Sequence, residues 1–161
     1  MIFETLEDFA GALAPMRGLV GLDLGTKTIG VALSDRLLTS ASALETVKRK
    51  KFGLDADALA GVIAKHEVCG IILGLPRNMD GSEGPRAQAT RAFALNLSRR
   101  ADFASLPIGF WDERLSTVAA ERALIEADTT RKRRSEVIDA VAASYILQGA
   151  LDRLRHLRTS A

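Results

Sequence analysis

Cysteine occurs once in this chain, histidine twice, and tryptophan and tyrosine once each. Each scarcity removes a class of chemistry. The single Cys69 has no partner for an internal disulfide, and with only His66 and His156 beside it the usual ligand spacings of structural zinc are missing. Cys69 lies in the apolar run "VCGIIL", which predicts a buried small side chain, and His66, in "AKHEVCG", reads as a helix-end or surface residue. So few Trp and Tyr leave little for stacking exposed bases. No apolar run approaches the roughly 20 residues of a membrane span. The N-terminal "MIFETLEDFAGALAPMRG" is acidic where a signal peptide is cationic, so a cytoplasmic protein with no membrane partner is expected. Lys and Arg (22) nearly balance Asp and Glu (20), so local charge placement matters more than net charge. No positionally supported Ser/His/Asp arrangement occurs. "GLDLGTKT" misses the P-loop spacing because Thr26 separates Gly25 from Lys27.

What the chain does have is one core's worth of apolar residues, 47% of 161, and no repeat or linker, which predicts one domain over residues 1–161. Phe3, Leu6, Phe9, Ala10 and Leu13 fall at helical spacing before Pro15, so residues 1–17 read as a helical extension. From Gly18 the pattern changes to the β-rich runs "LVGLDLG", "TIGVALSD" and "SALETVK", the signature of an antiparallel meander. A helix near 55–66, the strand "VCGIILG", a helix near 85–100, the strand "PIGFW" and two further helices then alternate. Alternation of this kind implies parallel strands joined by helical crossovers, hence a mixed sheet with helices on both faces. The long loop "GLPRNMDGSEGPR" (74–86) follows a strand's carboxyl end, where open α/β sheets bind ligands.

Acids interrupt this apolar pattern at three element ends. Asp23 sits in the first meander strand before "GTKT", where Gly25 is expected to supply a backbone conformation closed to other residues. In "FWDERLST" a strand ends in Asp112 and Glu113, ahead of Ser116 or Thr117 as a helix cap. Asp139 lies in the second turn of the helix "SEVIDAVAASYILQGALDRL", whose apolar positions include Val137, Ile138, Val141, Tyr145 and Leu151. Its helical neighbours are Ala142 and Ala143, small enough to let that edge approach a sheet closely. Taken singly, these acids suit turns, caps or a pairing with Arg114. Converging, they would repel unless a cation intervened, and hard Mg²⁺ or Mn²⁺ ions need only a few oxygen ligands. Two such ions about 4 Å apart would activate a water and stabilise the leaving oxygen of a phosphodiester.

Basic residues come in short runs: "KRKK" at 48–51, Arg99 and Arg100, and Arg131, Lys132, Arg133 and Arg134. Most such runs are solvated faces. The run 131–134 differs because it immediately precedes the helix of Asp139, within about two helical turns of that acid. Basic side chains beside an acidic metal site suit a polyanionic substrate.

The segments "GLDLGTKTIGVALSD", "IILGLPRNMDGSEGPRAQATRAFALNL", "WDERLSTVAAERAL" and "IDAVAASYILQGALDRL" resemble, in order, the motifs of the YqgF family, also called RuvX, over most of residues 18–154. The resemblance implies an α/β, RNase H-like fold with a five-stranded mixed sheet flanked by helices. It also implies a divalent-metal nuclease, with Mg²⁺ or Mn²⁺ as two ions, trimming the 5′ end of precursor 16S rRNA during ribosome biogenesis in the bacterial cytoplasm. Asp23 then matches the first-strand acid, Glu113 the acid of the "DERLST" motif and Asp139 the acid of the final helix. Asp112 and Glu113 point to opposite faces of a regular strand, so Glu113 is taken as the ligand. Asp112 remains a supporting acid, as does Glu136, three residues before Asp139. Lys27, Arg77, Arg86, Arg114 and the run 131–134 are the expected nucleic-acid contacts. The resemblance implies as partner structured RNA (precursor 16S rRNA) or branched DNA, with a pre-ribosomal particle as a further candidate, and a monomer or weak homodimer is expected. A Holliday junction resolvase and a nucleic-acid-binding factor with marginal catalysis are the alternatives. An actin-like ATPase fits poorly, since it needs two related domains.

Overall fold

The computed structural model describes residues 1–115 and the helix Arg131–Ser160, with the side chains of that helix from 138 to 159. In chain order the elements are β1 (Ile2–Phe3), α1 (Leu6–Gly11), β2 (Leu19–Leu24), β3 (Thr28–Ser34), β4 (Ala41–Lys48) and α2 (Phe52–His66). There follow β5 (Gly70–Leu75), α3 (Pro85–Ser98), β6 (Ile108–Asp112), a 3₁₀ turn (Glu113–Leu115) and α4 (Arg131–Ser160). The described strands form one sheet in the order β1-β6-β5-β2-β3-β4. The β2, β3 and β4 neighbours are antiparallel, as the meander predicts, while β5 runs parallel to β2 and β6 parallel to β5.

The sheet has six strands rather than the expected five, because β1 pairs in parallel with β6 through Ile2 opposite Ile108 and Phe3 opposite Gly109. Residues 1–17 are therefore built into the sheet edge rather than laid on it as a helix alone. The backbone N–H of Ile108 donates to the Met1 carbonyl at 2.7 Å. Thr5 caps α1 by accepting from the Asp8 N–H at 3.2 Å, which starts the helix later than apolar spacing suggests. Phe9, fully buried, packs where side chains at Gly70 and Gly109 would collide with its ring. Burying such a ring contributes about 2–3 kcal/mol, enough to hold a short extension in place.

Alternation along β2 divides the core. Val20, Leu22 and Leu24 face α2 and α3, meeting Leu59, Phe93, Leu97 and Phe103. Leu19 and Gly21 face α4, which brings Ala143, Ile146, Leu147 and Leu151 onto the sheet. Cys69 is buried on that side, and burial pushes its thiol pKa up, matching the reading of an inert small side chain.

Glycines set how closely α4 approaches. A Cβ at Gly21 would lie 2.6 Å from Leu147 Cβ, one at Gly74 would lie 2.5 Å from Ile146 Cδ1, and one at Gly30 would lie 1.8 Å from the Asp139 carbonyl oxygen. These three residues stand on the neighbouring strands β2, β5 and β3, so at these points the helix meets the sheet with no intervening side chain. Gly30→Ala cannot be relieved by a side-chain rotation, because the clash is with backbone. The substitution should cost about 3 kcal/mol in urea unfolding. Gly61→Ala, on α2 with open space around the new methyl, should instead stabilise by about 0.5–1 kcal/mol.

Candidate active site

Asp23 is the last but one residue of β2 and only 5% exposed, yet it stands among apolar neighbours. Two residues beyond Gly21, it shares the α4 face of the sheet. Its register partner across β3 is Gly30, the residue under the Asp139 carbonyl. On the other side, Gly74 follows Leu73, the partner of Leu22, and Glu113 Oε1 lies 2.9 Å from where a Gly74 Cβ would be. Asp139, Asp23 and Glu113 are thus aligned across β3, β2 and β5 on one face. Two inter-strand spacings amount to about 10 Å, a span that carboxylate side chains can narrow from both flanks.

Their present placement is looser than a closed ligand cage. Among the described residues no three His, Cys, Asp or Glu side chains form a group able to hold an ion. The Asp139 carboxylate is turned toward β3, where Oδ2 accepts a hydrogen bond from the Thr28 hydroxyl. All three aligned acids offer oxygen donors without nitrogen or sulfur, the donor set of Mg²⁺ or Mn²⁺.

Asp112 is placed differently. Trp111 faces α4 and Asp112 the opposite side, where its carboxylate meets Arg114 at 2.7 Å and Arg77 at 3.7 Å. The Arg114 guanidinium holds the Asp112 carboxyl below the usual aspartate range. Arg77 and Arg114 are engaged by carboxylates, whereas Lys27 and Arg86 are exposed and have no ion-pair partner among the described residues. Ser116, Thr117 and the side chains of Arg131, Lys132, Arg133, Arg134, Glu136 and Val137 lie outside the described residues.

Two expectations change around the turn at 25–27. Gly25 does not adopt a positive φ. Its lack of a side chain serves close approach instead, since a Cβ there would lie 2.9 Å from the Thr28 carbonyl oxygen, which accepts the Gly25 N–H. Arg49, within the run read as a solvated face, is partly buried and braces this turn, donating to the Gly25 carbonyl at 2.7 Å and lying over the Phe93 ring. The loop after β5 is closed by its own turn. The Gly81 N–H donates to the Asn78 carbonyl, the Asn78 N–H donates to the Ser82 carbonyl, and Gly81 takes a φ of 90° that favours glycine.

Thr28, Gly30, Gly74 and Arg49 were not legible as site residues. The available signal was a glycine inside an otherwise continuous β run, which marks close backbone approach. Thr28→Val should destabilise by about 1–2 kcal/mol by leaving Asp139 without its hydroxyl donor, and Thr28→Ser should recover most of that in denaturant melts. Glu83 gives a pH test, because the Arg91 guanidinium holds its carboxyl below the ordinary value of 4.5. A carboxyl lowered by folding stabilises above its unfolded pKa and loses that contribution as pH falls through the folded one. The stability gap between wild type and Glu83→Gln should be full at neutral pH, begin to narrow as pH falls below the unfolded carboxyl's 4.5, and close as pH falls through the lower folded value.

Residues 17–153 match the family described as RuvX, Holliday junction resolvase. A protein of Jannaschia sp. (strain CCS1), named as a candidate pre-16S rRNA nuclease, is 91% identical over 158 residues, covering 98% of this chain and 99% of that protein. One of the same name from Ruegeria sp. (strain TM1040) is 70% identical over 160 residues, 99% of this chain and 100% of that protein. Both alignments reach into the N-terminal extension, so these relatives share it. Among solved structures, T. thermophilus RuvC in complex with a Holliday junction substrate superposes with a TM-score of 0.53 at 14% identity, over 86% of this chain and 96% of that one. The same enzyme in a second structure gives 0.52 at 15% identity, over 85% and 96%. These likenesses are of fold, an RNase H-like sheet with its helices.

Proposed function

The chain belongs to the RuvX family, and from that premise we propose that it is a divalent-metal-dependent nuclease that processes the 5′ end of precursor 16S rRNA. The observation that carries the reading is the alignment of Asp23, Glu113 and Asp139 on one face, across three neighbouring strands, beside the turn of the exposed Lys27. Nucleases of this fold class work with divalent ions. When bound here, Mg²⁺ or Mn²⁺ ions would supply Lewis-acid stabilisation of the scissile phosphate and of the departing oxygen. Asp23 and Asp139 are the residues to hold them, and Glu113 is a further ligand or orients the attacking water. Thr28 keeps the Asp139 carboxylate in one rotamer, and the close contact at Gly30 fixes the height of that carboxylate above the sheet. Lys27, at the exposed turn, and Arg86, in the first turn of α3, are available to phosphates, the latter where helix N–H groups also favour anions. Their contribution would be to backbone positioning rather than sequence reading.

RNA is preferred over branched DNA because the relatives at 91% and 70% identity carry the rRNA name, whereas the junction-bound neighbour shares only the fold. The protein is expected to act in the cytoplasm on a pre-ribosomal particle. No described helix is long and apolar enough to cross a membrane. Asp23→Asn and Asp139→Asn should each lower metal-dependent cleavage by about a hundredfold or more. Melting temperature should hold or rise without metal, because crowded carboxylates repel. The assay compares precursor 16S rRNA with a four-way DNA junction, with chelator and Mg²⁺ add-back as controls. Cleavage of the junction alone would overturn the RNA assignment, activity surviving both substitutions would overturn the assignment of the acids, and cleavage of neither substrate by the wild type would overturn the nuclease.

A further inference from the structure

Asp112 sits next to a proposed metal ligand yet faces away from the metal face, and its contacts give it a different task. Its Oδ1 accepts the backbone N–H of Arg114 at 3.0 Å, closing a side-chain cap around the single residue between them, Glu113. The Arg114 side chain then folds back, donating Nε to Oδ1 at 3.1 Å and Nη2 to Oδ2 at 2.7 Å. From there Nη1 reaches the Met79 carbonyl at 3.4 Å, and the guanidinium lies against Gly81. Arg77, at the root of the same loop, approaches Asp112 Oδ2 at 3.7 Å and Glu83 at 3.4 Å. Glu83 in turn binds Arg91 at 2.5 Å, and Arg91 binds Glu4 of the N-terminal segment at 2.8 Å. One carboxylate therefore gathers the Glu113 turn and the two ends of loop 76–84, with a continuation to the sheet-edge extension.

We propose that Asp112 is a positioning residue: it holds Glu113 over Gly74 and clamps loop 76–84 to the Glu113 turn, so that Arg77 and Arg114 act as internal braces and not as primary phosphate contacts. The energetic case rests on partial burial. Exposed ion pairs are worth about 0–1 kcal/mol each. Asp112 is 16% exposed and accepts from a backbone N–H and a forked guanidinium at once, which fixes geometry as well as adding energy. The cap also explains why β6 ends where it does. After Asp112 the backbone turns into the 3₁₀ segment, with Glu113 on the same face of the sheet as Trp111 and Asp112 on the other.

The inference rests on the nuclease reading only for its catalytic consequence, so the test separates the two. Wild type, Asp112→Asn and Asp112→Ala of the full chain are compared by amide hydrogen exchange and by cleavage kinetics with Mg²⁺. Asparagine keeps an oxygen for the Arg114 N–H but loses the ion pairs; alanine loses both. The Arg114 amide should exchange about tenfold faster in the alanine variant and near the wild-type rate in the asparagine variant. Amides of residues 78–82 should exchange faster in both. In cleavage, alanine should lower kcat about tenfold or more with KM within about threefold, and asparagine should recover most of kcat with the Mg²⁺ half-saturation unchanged. Unchanged Arg114 exchange in the alanine variant overturns the proposal. So does an asparagine variant as inactive as Asp23→Asn, which would make Asp112 a ligand, or kcat unaltered in both folded variants, which would make it merely structural. A wild-type protein that cleaves nothing counts against the nuclease reading, and the exchange pattern still decides whether Asp112 clamps the turn and loop.

Discussion

The close contact between α4 and the glycines of β2, β3 and β5 is the constraint on which the site depends. A helix usually stands off a sheet by the thickness of two layers of side chains. Here Gly21, Gly30 and Gly74 remove one layer, and Ala142 and Ala143 thin the other, so the helix backbone itself touches β3 at Asp139. That contact sets the height of one carboxylate above the sheet. It also explains why Asp23 can be nearly buried at a strand end, since the helix covers the same face. An acid in such a position is costly unless its oxygens are satisfied, and the physics that makes it costly makes it a good cation ligand.

Glu113 depends on a second, more local device. Its carboxylate reaches the space above Gly74 from the first residue of the turn that follows β6, two residues beyond Trp111 and on the same face. The adjacent acids divide the work by direction. Asp112 goes to arginines on the loop side, and Glu113 goes to the helix-covered face. The ion pairs around Asp112 run on through Glu83 and Arg91 to Glu4, so the N-terminal segment joins the loop network as well as the sheet edge.

The sheet-edge strand shows how an extension becomes part of a fold. Two residues are a minimal strand, and alone they would not pair. Phe9 buried beneath α4, together with the Met1 carbonyl accepting from Ile108, supplies what the short ladder lacks. The family match begins at residue 17, yet relatives at 91% and 70% identity align over nearly the whole chain. The extension is thus shared within this group of relatives.

Local periodicity was enough to read the strands β2 to β6, the helices α2 and α3, residues 135–154 of α4, the meander followed by crossovers, and the acids that interrupt each pattern; α4 itself begins earlier, at Arg131, so the basic run 131–134 lies within the helix rather than before it. Each of those signals lies within a window of a dozen residues, where alternation or helical spacing reports burial directly. The family motifs added the identity of the acids, again from contiguous runs. What the sequence could not disclose were the relations between distant residues: Thr28 with Asp139, Gly30 beneath the helix, Arg91 with Glu4, and Ile2 beside Ile108. A glycine reads alike whether it serves a turn or a contact, and an arginine reads alike whether it awaits a phosphate or braces a loop. Only the tertiary structure decides, because the deciding neighbour is supplied by a segment tens of residues away.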